Sequence, residues 1–521
     1  MQGPAHDADR SPDDGVAAAR ARRWLVAASL ACAALPLLAV HFPPSTDLPQ
    51  HVAQVRLLGD ALGARADVYQ VGWTSPSNLL YGLLAAASAL VEPITAGRLV
   101  TLLLVLAWVG AVALLARRRG RAPEAAALAS VLAFNATLTW GFLNFEAGWP
   151  VFVLWVLLTL DPPREPGTRR WLALTAVALL LYAGHALWFL VGATWLLVSL
   201  AWARAPARSV AVHLLALAPP AALAARWYHD LSAFRAAAAF NLEPRWFTPP
   251  WRRLHPDWLV DATFGSLVGS LEPVVLGAIA LWIVASVVSH RGELRRAVDG
   301  RLALLAGILL ALALLSPDMY LNTVRFAQRW APVGLATLLL ALPAPRVSPR
   351  LLRVGVGGLV ALFSLATTGA YTAFEREELS GLRASLQAVP AESRVLGLDL
   401  VKHSEFVIGR PFLQMAAYAQ ALRGGELAFS FAEHGSSIVS YRRPRAIAWT
   451  GGLDFHPERL RPDDLEHFDV ILVNALAPVH QVFEGYPGVA PLTTHRGRWR
   501  LYRSVRARPG ATAPRAAPEG T

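Results

Sequence analysis

Through residue 374 the chain repeats one pattern: long uncharged apolar runs separated by short breaks that carry arginine. Runs at 24–40, 99–116, 125–145, 273–289 and 354–374 belong to a set of at least ten, each about 14–21 residues and suited to the roughly 20-residue helix that crosses a bilayer. The pattern predicts a polytopic α-helical membrane protein. The segment 78–91 decides the topology, because it is apolar but short and is closed by Glu92-Pro93. Read as an interfacial helix, it leaves about eleven spans, and Arg117–Arg119, Arg121, Arg169, Arg170, Arg204, Arg208, Arg291, Arg295, Arg296, Arg346 and Arg350 then share the side of the N-terminus. That bias places the N-terminus in the cytoplasm. The uncharged stretch 171–203 is too long for one helix, so Gly184-His185 marks a tight outer turn, and Pro219-Pro220 kinks the seventh span.

After residue 374 charge rises and apolar runs shrink to strand length, as at 393–401, 445–449 and 468–473, with helical patterns at 375–387 and 411–422. A soluble α/β domain is expected over 375–505, ending in a hairpin through 499–502. The expected organisation is thus a cytoplasmic tail (1–23), a transmembrane domain (24–374) whose outer loop 41–98 carries interfacial helices, the extracytoplasmic α/β domain, and a disordered Ala/Pro/Arg-rich tail (506–521).

Composition agrees: 55% of residues are hydrophobic and 16% charged. The net charge of +12 is a topology signal and not a nucleic-acid footprint, since every basic residue but Lys402 is Arg and many lie between apolar runs. High Arg and Ala with one Lys point to a GC-rich genome; a bacterial source is expected, and with it a multi-pass location in the inner membrane. A single cysteine, Cys32, excludes internal disulfides and cysteine-rich zinc sites. The lone lysine lacks a phosphate-binding glycine loop, and HExxH and GxSxG are absent. Asp7-Ala8-Asp9 imitates a nucleotide-sugar motif but lies in the cytoplasmic tail.

The first outer loop presents Thr46-Asp47-Leu48-Pro49-Gln50-His51 at the mouth of an amphipathic helix, followed by Pro76-Ser-Asn-Leu-Leu-Tyr-Gly-Leu-Leu84, Ala96-Gly-Arg-Leu99 and the basic exit Arg117-Arg-Arg-Gly120. This arrangement resembles the GT-C superfamily of polyprenyl-phosphate-sugar-dependent membrane glycosyltransferases, which includes protein mannosyltransferases and lipid A aminoarabinose transferases. The resemblance covers about 350 residues; Leu48 stands where the family often has a second acid. It implies transfer of a sugar from a polyprenyl-phosphate donor to an extracytoplasmic acceptor. Such chemistry needs a base for the acceptor hydroxyl and cations for the departing phosphate.

Asp47 is the candidate base; the alternative is a helix N-cap with Gln50 closing a capping box. His51, one turn on, orients Asp47, binds substrate, shares a metal, or is an interfacial histidine. Arg325 and Arg329, four residues apart, are expected on one helical face as a phosphate clamp, with snorkelling to lipid headgroups as the alternative. Arg252 and Arg253 lie among Trp246, Pro249, Pro250 and Trp251, which suit stacking on sugars or anchoring at the interface. Glu146 and His185, near outer helix ends, are further substrate-binding candidates. No cofactor is required by these residues; a divalent cation is the one candidate. A non-catalytic lipid or glycan transporter or envelope assembly scaffold of the same fold is the rival reading.

Overall fold

The computed structural model describes residues 12–237, 243–320, 323–435, 437–493 and 497–507, so the Asp7-Ala8-Asp9 motif and the tail beyond 507 lie outside the described residues. The chain opens with α1 (Pro12–Leu38), turns through 39–47, and continues in α2 (Leu48–Leu62), whose Leu48, Val52 and Leu57 are buried together with Gln50, His51 and Gln54. A short strand β1 (Tyr69–Val71) leads to α3 (Asn78–Ser88). At about 1.5 Å per residue, α3 is roughly 16 Å long, half the hydrocarbon thickness. The helix α4 (Pro93–Arg118) follows.

The run 125–145 does not form one helix. It breaks into α5 (Pro123–Ser130), a 3-10 turn and α6 (Ala136–Trp140). The cause is local: the Asn135 side chain accepts hydrogen bonds from the Thr137 (2.7 Å) and Leu138 (3.2 Å) amides and restarts the helix, and Gly141, at φ 82°, ends it five residues later.

Next come α7 (Leu143–Thr159), α8 (Thr168–Gly184) and α9 (Ala186–Trp202), with His185 as the corner between the last two. The pair α10 (Ala207–Leu215) and α11 (Ala218–Ala237) bends by 45° just before Pro219-Pro220. Then follow α12 (Pro256–Thr263), α13 (Leu271–Ser289), α14 (Leu294–Ala297), α15 (Gly300–Leu315), α16 (Trp330–Ala341) and α17 (Pro349–Ala373).

Among the described residues three helices, Pro93–Arg118, Leu271–Ser289 and Pro349–Glu378, are long and apolar enough to cross a membrane, and the bent pair makes a fourth; α3, α7, α9, α15 and α16 are shorter apolar helices. The core of the bundle is aromatic. Trp108, Trp149, Trp155, Trp188, Trp195 and Trp330 are fully buried, and Trp188 packs on Phe145 and Phe152 at 4.7 Å and on Trp330 at 5.2 Å between centroids.

The C-terminal third contains α18 (Leu382–Ala388), β2 (Arg394–Asp399), α19 (Ala417–Arg423), β3 (Glu426–Leu427), β4 (Val439–Tyr441), β5 (Val470–Asn474), α20 (Ala477–Glu484), β6 (Val489–Pro491) and β7 (Trp499–Ser504). Five strands form one sheet in the order β3-β2-β5-β7-β6. Its neighbours β2 and β5 are parallel and β7 is antiparallel to both of its partners, so the continuous apolar run Val470–Val473 sits in the buried centre.

The expected strand at 445–449 is not formed. Arg445 there turns inward to the Leu427 carbonyl (2.9 Å), the Ala428 carbonyl (2.8 Å) and the Glu433 carboxylate, and its guanidinium lies over Trp449, so this segment is held by side-chain bonds.

The sheet region is stitched to the first loop. Antiparallel pairing of β1 with β4 sets Tyr69 against Tyr441. Gln50 donates to the Gln414 side chain (2.9 Å) and the Phe429 carbonyl (3.2 Å) and accepts from the Phe431 amide (3.1 Å), while Gln54 accepts from the Val439 amide (3.0 Å). These buried amides bind α2 to the segment 429–439 above it.

Candidate functional site

A cavity of about 490 Å3 opens between α2, α3, the start of α7, the α8–α9 corner, α11 and the segment before α16, and it is roofed by Phe431, His434 and Ser437. Asp47 is at its base. The Thr46 amide donates to the Thr139 carbonyl (2.9 Å), the Asp47 amide to the Trp140 carbonyl (3.2 Å), and the Ser45 hydroxyl to the Leu138 carbonyl (2.9 Å). The loop before α2 is therefore spliced onto α6. Gly141 presses on the same point, where an added Cβ would meet the Asp47 nitrogen at 2.5 Å.

Asp47 occupies the N-cap position of α2, yet its side chain makes no capping hydrogen bond, and Gln50 is engaged with the roof, so the capping box that is the alternative reading of Asp47 does not form. The carboxylate is left facing the cavity. Burial pushes the Asp47 carboxyl up to about 7, against the opposing pull of Arg329.

Arg329 faces the same cavity. It is 3% exposed, its guanidinium lies 3.8 Å from the Phe142 ring centroid, and it donates to the Val324 carbonyl at 3.0 Å. Its Nε finds no hydrogen-bond partner, and its charge acts on Asp47 through space, without a direct ion pair among the described residues. A cation and a carboxylate thus line one space.

His51 plays neither of the more reactive parts. Its Nε2 donates to the Gly141 carbonyl (3.0 Å), which leaves Nδ1 to accept from the Tyr81 hydroxyl (2.9 Å); both ring nitrogens are committed, and burial holds the ring down to about 4, hence neutral. His185 also lines the cavity, its Nδ1 accepting the Leu187 amide at 3.1 Å, which puts the neutral ring's proton on Nε2.

The other expected site residues lie elsewhere. The segment 323–329 is a series of bends and turns, so Arg325 and Arg329 do not share a helical face; Arg325, at φ 53°, pairs with the Asp261 carboxylate (2.8 Å) and carbonyl (3.0 Å) and does not line the cavity.

Arg253 is wholly buried. It donates to the carbonyls of Ala313 (3.1 Å), Leu314 (3.1 Å), Ser316 (2.6 Å) and Thr248 (3.0 Å) and pairs with Asp318 (2.9 Å), so it satisfies the carboxyl end of α15 and has no donor to offer a substrate. Arg252 is exposed and outside the cavity lining. Glu146 is buried behind the wall, where its carboxylate accepts from the Thr137 hydroxyl.

A divalent cation finds a poor donor set: Asp47 is the one carboxylate in the cavity lining, and among the described residues no group of three or more His, Cys, Asp or Glu is arranged to hold a metal. The residues the sequence did not single out are Tyr81, Asn144, Tyr320, Phe431 and His434. Tyr81 stands inside the Pro76–Leu84 segment and Asn144 two positions before Glu146, but no spacing rule brings Phe431 or His434 to Asp47.

Two solved structures cover this arrangement at full length. They are those of ArnT from Cupriavidus metallidurans in the apo state and bound to undecaprenyl phosphate, with TM-scores of 0.51 and 0.53, each 13% identical and matching 96% of this chain to 100% of theirs. The chain shares the fold of these two structures. The mycobacterial arabinofuranosyltransferase AftD is 18% identical over 94% of this chain and 42% of its own, with a TM-score of 0.46. No family model and no curated protein matches the sequence.

Three substitutions separate holding from binding. Gly141→Ala places a Cβ against the Asp47 backbone at a left-handed position, so we expect a loss of about 1–3 kcal/mol in stability and displacement of Asp47, read as a lower melting temperature together with lost ligand binding. Arg253→Ala leaves the buried Asp318 carboxylate without its cation and should cost about 3–5 kcal/mol in thermal or denaturant unfolding, whereas Arg252→Ala should change neither stability nor ligand binding in the cavity.

Proposed function

We propose that this chain is a membrane glycosyltransferase that moves a sugar from a polyprenyl-phosphate donor to an acceptor on the extracytoplasmic face. The observation that carries the reading is the opposed pair in one cavity, an uncapped Asp47 carboxylate and an Arg329 guanidinium without a counterion contact. The shared fold with ArnT, solved with undecaprenyl phosphate, supports the lipid-phosphate class of ligand.

The roles follow from the chemistry. Asp47 takes the proton of the acceptor hydroxyl as its oxygen bonds to the anomeric carbon. The bond from that carbon to the phosphate oxygen breaks, the electron pair leaves with the phosphate, and configuration inverts. Arg329 receives the released anion from a water-poor wall, where a fixed cation is worth more than in solution. Arg325, neutralised by Asp261, is not assigned to the phosphate. His51 positions the Asp47 turn through Gly141, and His185 and Asn144 face the bound sugar. About eleven spans with a cytoplasmic N-terminus in a bacterial inner membrane, and the C-terminal sheet region outside, complete the arrangement.

The raised Asp47 carboxyl gives a pH signature. A general base must be ionised, so below about 7 the reactive form is lost to protonation; kcat/KM should rise about tenfold per pH unit through pH 5–6 and level off above about 7. Asp47→Asn should lower kcat by about 10²–10⁴-fold with donor binding retained, and Arg329→Ala should cost about 10²–10³-fold. Transfer of radiolabelled sugar from polyprenyl phosphate in proteoliposomes measures both. Undiminished transfer by Asp47→Asn overturns the assigned base; donor binding without any turnover in the unaltered protein selects the transporter or scaffold reading.

A further inference from the structure

Between α11 and α12 the chain makes a compact elbow over residues 245–254, with sequence Arg-Trp-Phe-Thr-Pro-Pro-Trp-Arg-Arg-Leu. Its large apolar side chains point outward: Trp251 is 75% exposed, Phe247 66%, Leu254 64% and Trp246 48%. In a soluble surface such a cluster would be an unpaid apolar patch. Here the elbow is rigidly built. The Thr248 amide (2.9 Å) and the Arg253 guanidinium (2.9 Å) both bond the buried Asp318 carboxylate, Arg245 pairs through its backbone with Met319, and a 3-10 turn spans Pro250–Leu254. Rings held outward by a buried ion pair are not there by collapse of a loose loop.

The location of the elbow identifies what covers it. Trp246 donates its indole hydrogen to the Leu315 carbonyl at 3.2 Å, and Arg253 caps the carbonyls at the same end of the apolar helix α15. The elbow therefore sits at the depth where an apolar helix ends. Exposed Arg245 and Arg252 flank the rings, and Asp257 beyond them has 92% of its side chain in solvent. Aromatic rings at a helix end, with cations beside them and a solvated acid just beyond, match the phosphate-bearing boundary of a phospholipid layer.

We propose that residues 245–254 form a membrane-docking foot, with Phe247, Trp251 and Leu254 seated in the acyl boundary and Arg245 and Arg252 at the lipid phosphates. The inference does not depend on the transfer chemistry proposed above. Asp318 extends the consequence to the cavity: its other carboxylate oxygen accepts from Gln328 (3.1 Å) and its carbonyl from the Phe326 amide (2.9 Å), in the segment that ends at Arg329.

The test uses the full chain with Cys32→Ser, carrying a nitroxide at Phe247→Cys or Trp251→Cys, in vesicles of phosphatidylethanolamine and phosphatidylglycerol. Both side chains are exposed, so neither change opens a cavity. Power-saturation spectroscopy compares collisions with oxygen, which partitions into lipid, and with a water-soluble nickel chelate. Leu281→Cys, on the outer surface of α13, is the lipid reference, and Asp463→Cys, 92% exposed, is the aqueous one. Both foot labels should favour oxygen severalfold over the chelate, as Leu281→Cys does. A foot label that matches Asp463→Cys overturns the proposal, and it does so whether or not the protein transfers a sugar.

Discussion

The position of Asp47 rests on main-chain hydrogen bonds between residues far apart in sequence. The Thr46 and Asp47 amides donate to the Thr139 and Trp140 carbonyls, the Ser45 hydroxyl adds a side-chain bond to the Leu138 carbonyl, and Gly141 closes the contact at a backbone angle that only glycine holds cheaply. Because these bonds use the backbone, the carboxylate itself is free of structural duty. The same splice fixes His51, whose ring is locked between Gly141 and Tyr81. Behind it, Asn135 and Glu146 converge on Thr137, so the five-residue helix that presents these carbonyls is held from its buried side.

Several buried or half-buried guanidiniums in this fold are met by a carboxylate. Arg253 meets Asp318, Arg325 meets Asp261 and Arg445 meets Glu433, and each guanidinium also satisfies backbone carbonyls. Burial of an unpaired ion costs several kcal/mol, so such pairing is the expected state. Arg329 departs from it. Its cost is offset in part by the Phe142 face beneath it and by Asp47 across the cavity. Under the function proposed above, this cation beside aromatic and aliphatic residues is the group that would meet the phosphate of a lipid-linked donor.

The roof shows why the site is not a property of the helices alone. Gln50 and Gln54 on α2 hold the segment 429–439, and that segment delivers Phe431 and His434 to the cavity, Phe431 packing 5.5 Å from the His51 ring. The elbow of exposed rings is tied through Asp318 to the segment before α16. Two peripheral parts of the chain thus converge on one hollow through buried polar contacts.

Much of this was legible in the order of residues. Apolar run lengths announced a largely helical chain, in which three helices and one bent pair are long and apolar enough to cross a membrane while the run 125–145 breaks, and the loss of that pattern after residue 374 announced the sheet region, because burial selects side chains position by position. Asp47 stood out as an acid at the start of an amphipathic helix. The sequence alone did not decide which arginine faces the cavity. Four-residue spacing groups Arg325 with Arg329 only if a helix joins them, and the chain there bends, sending one to Asp261 and leaving the other in the hollow. Local periodicity is written along the chain; which buried charge finds a partner depends on what distant segments bring beside it, and that is settled only when the tertiary structure closes.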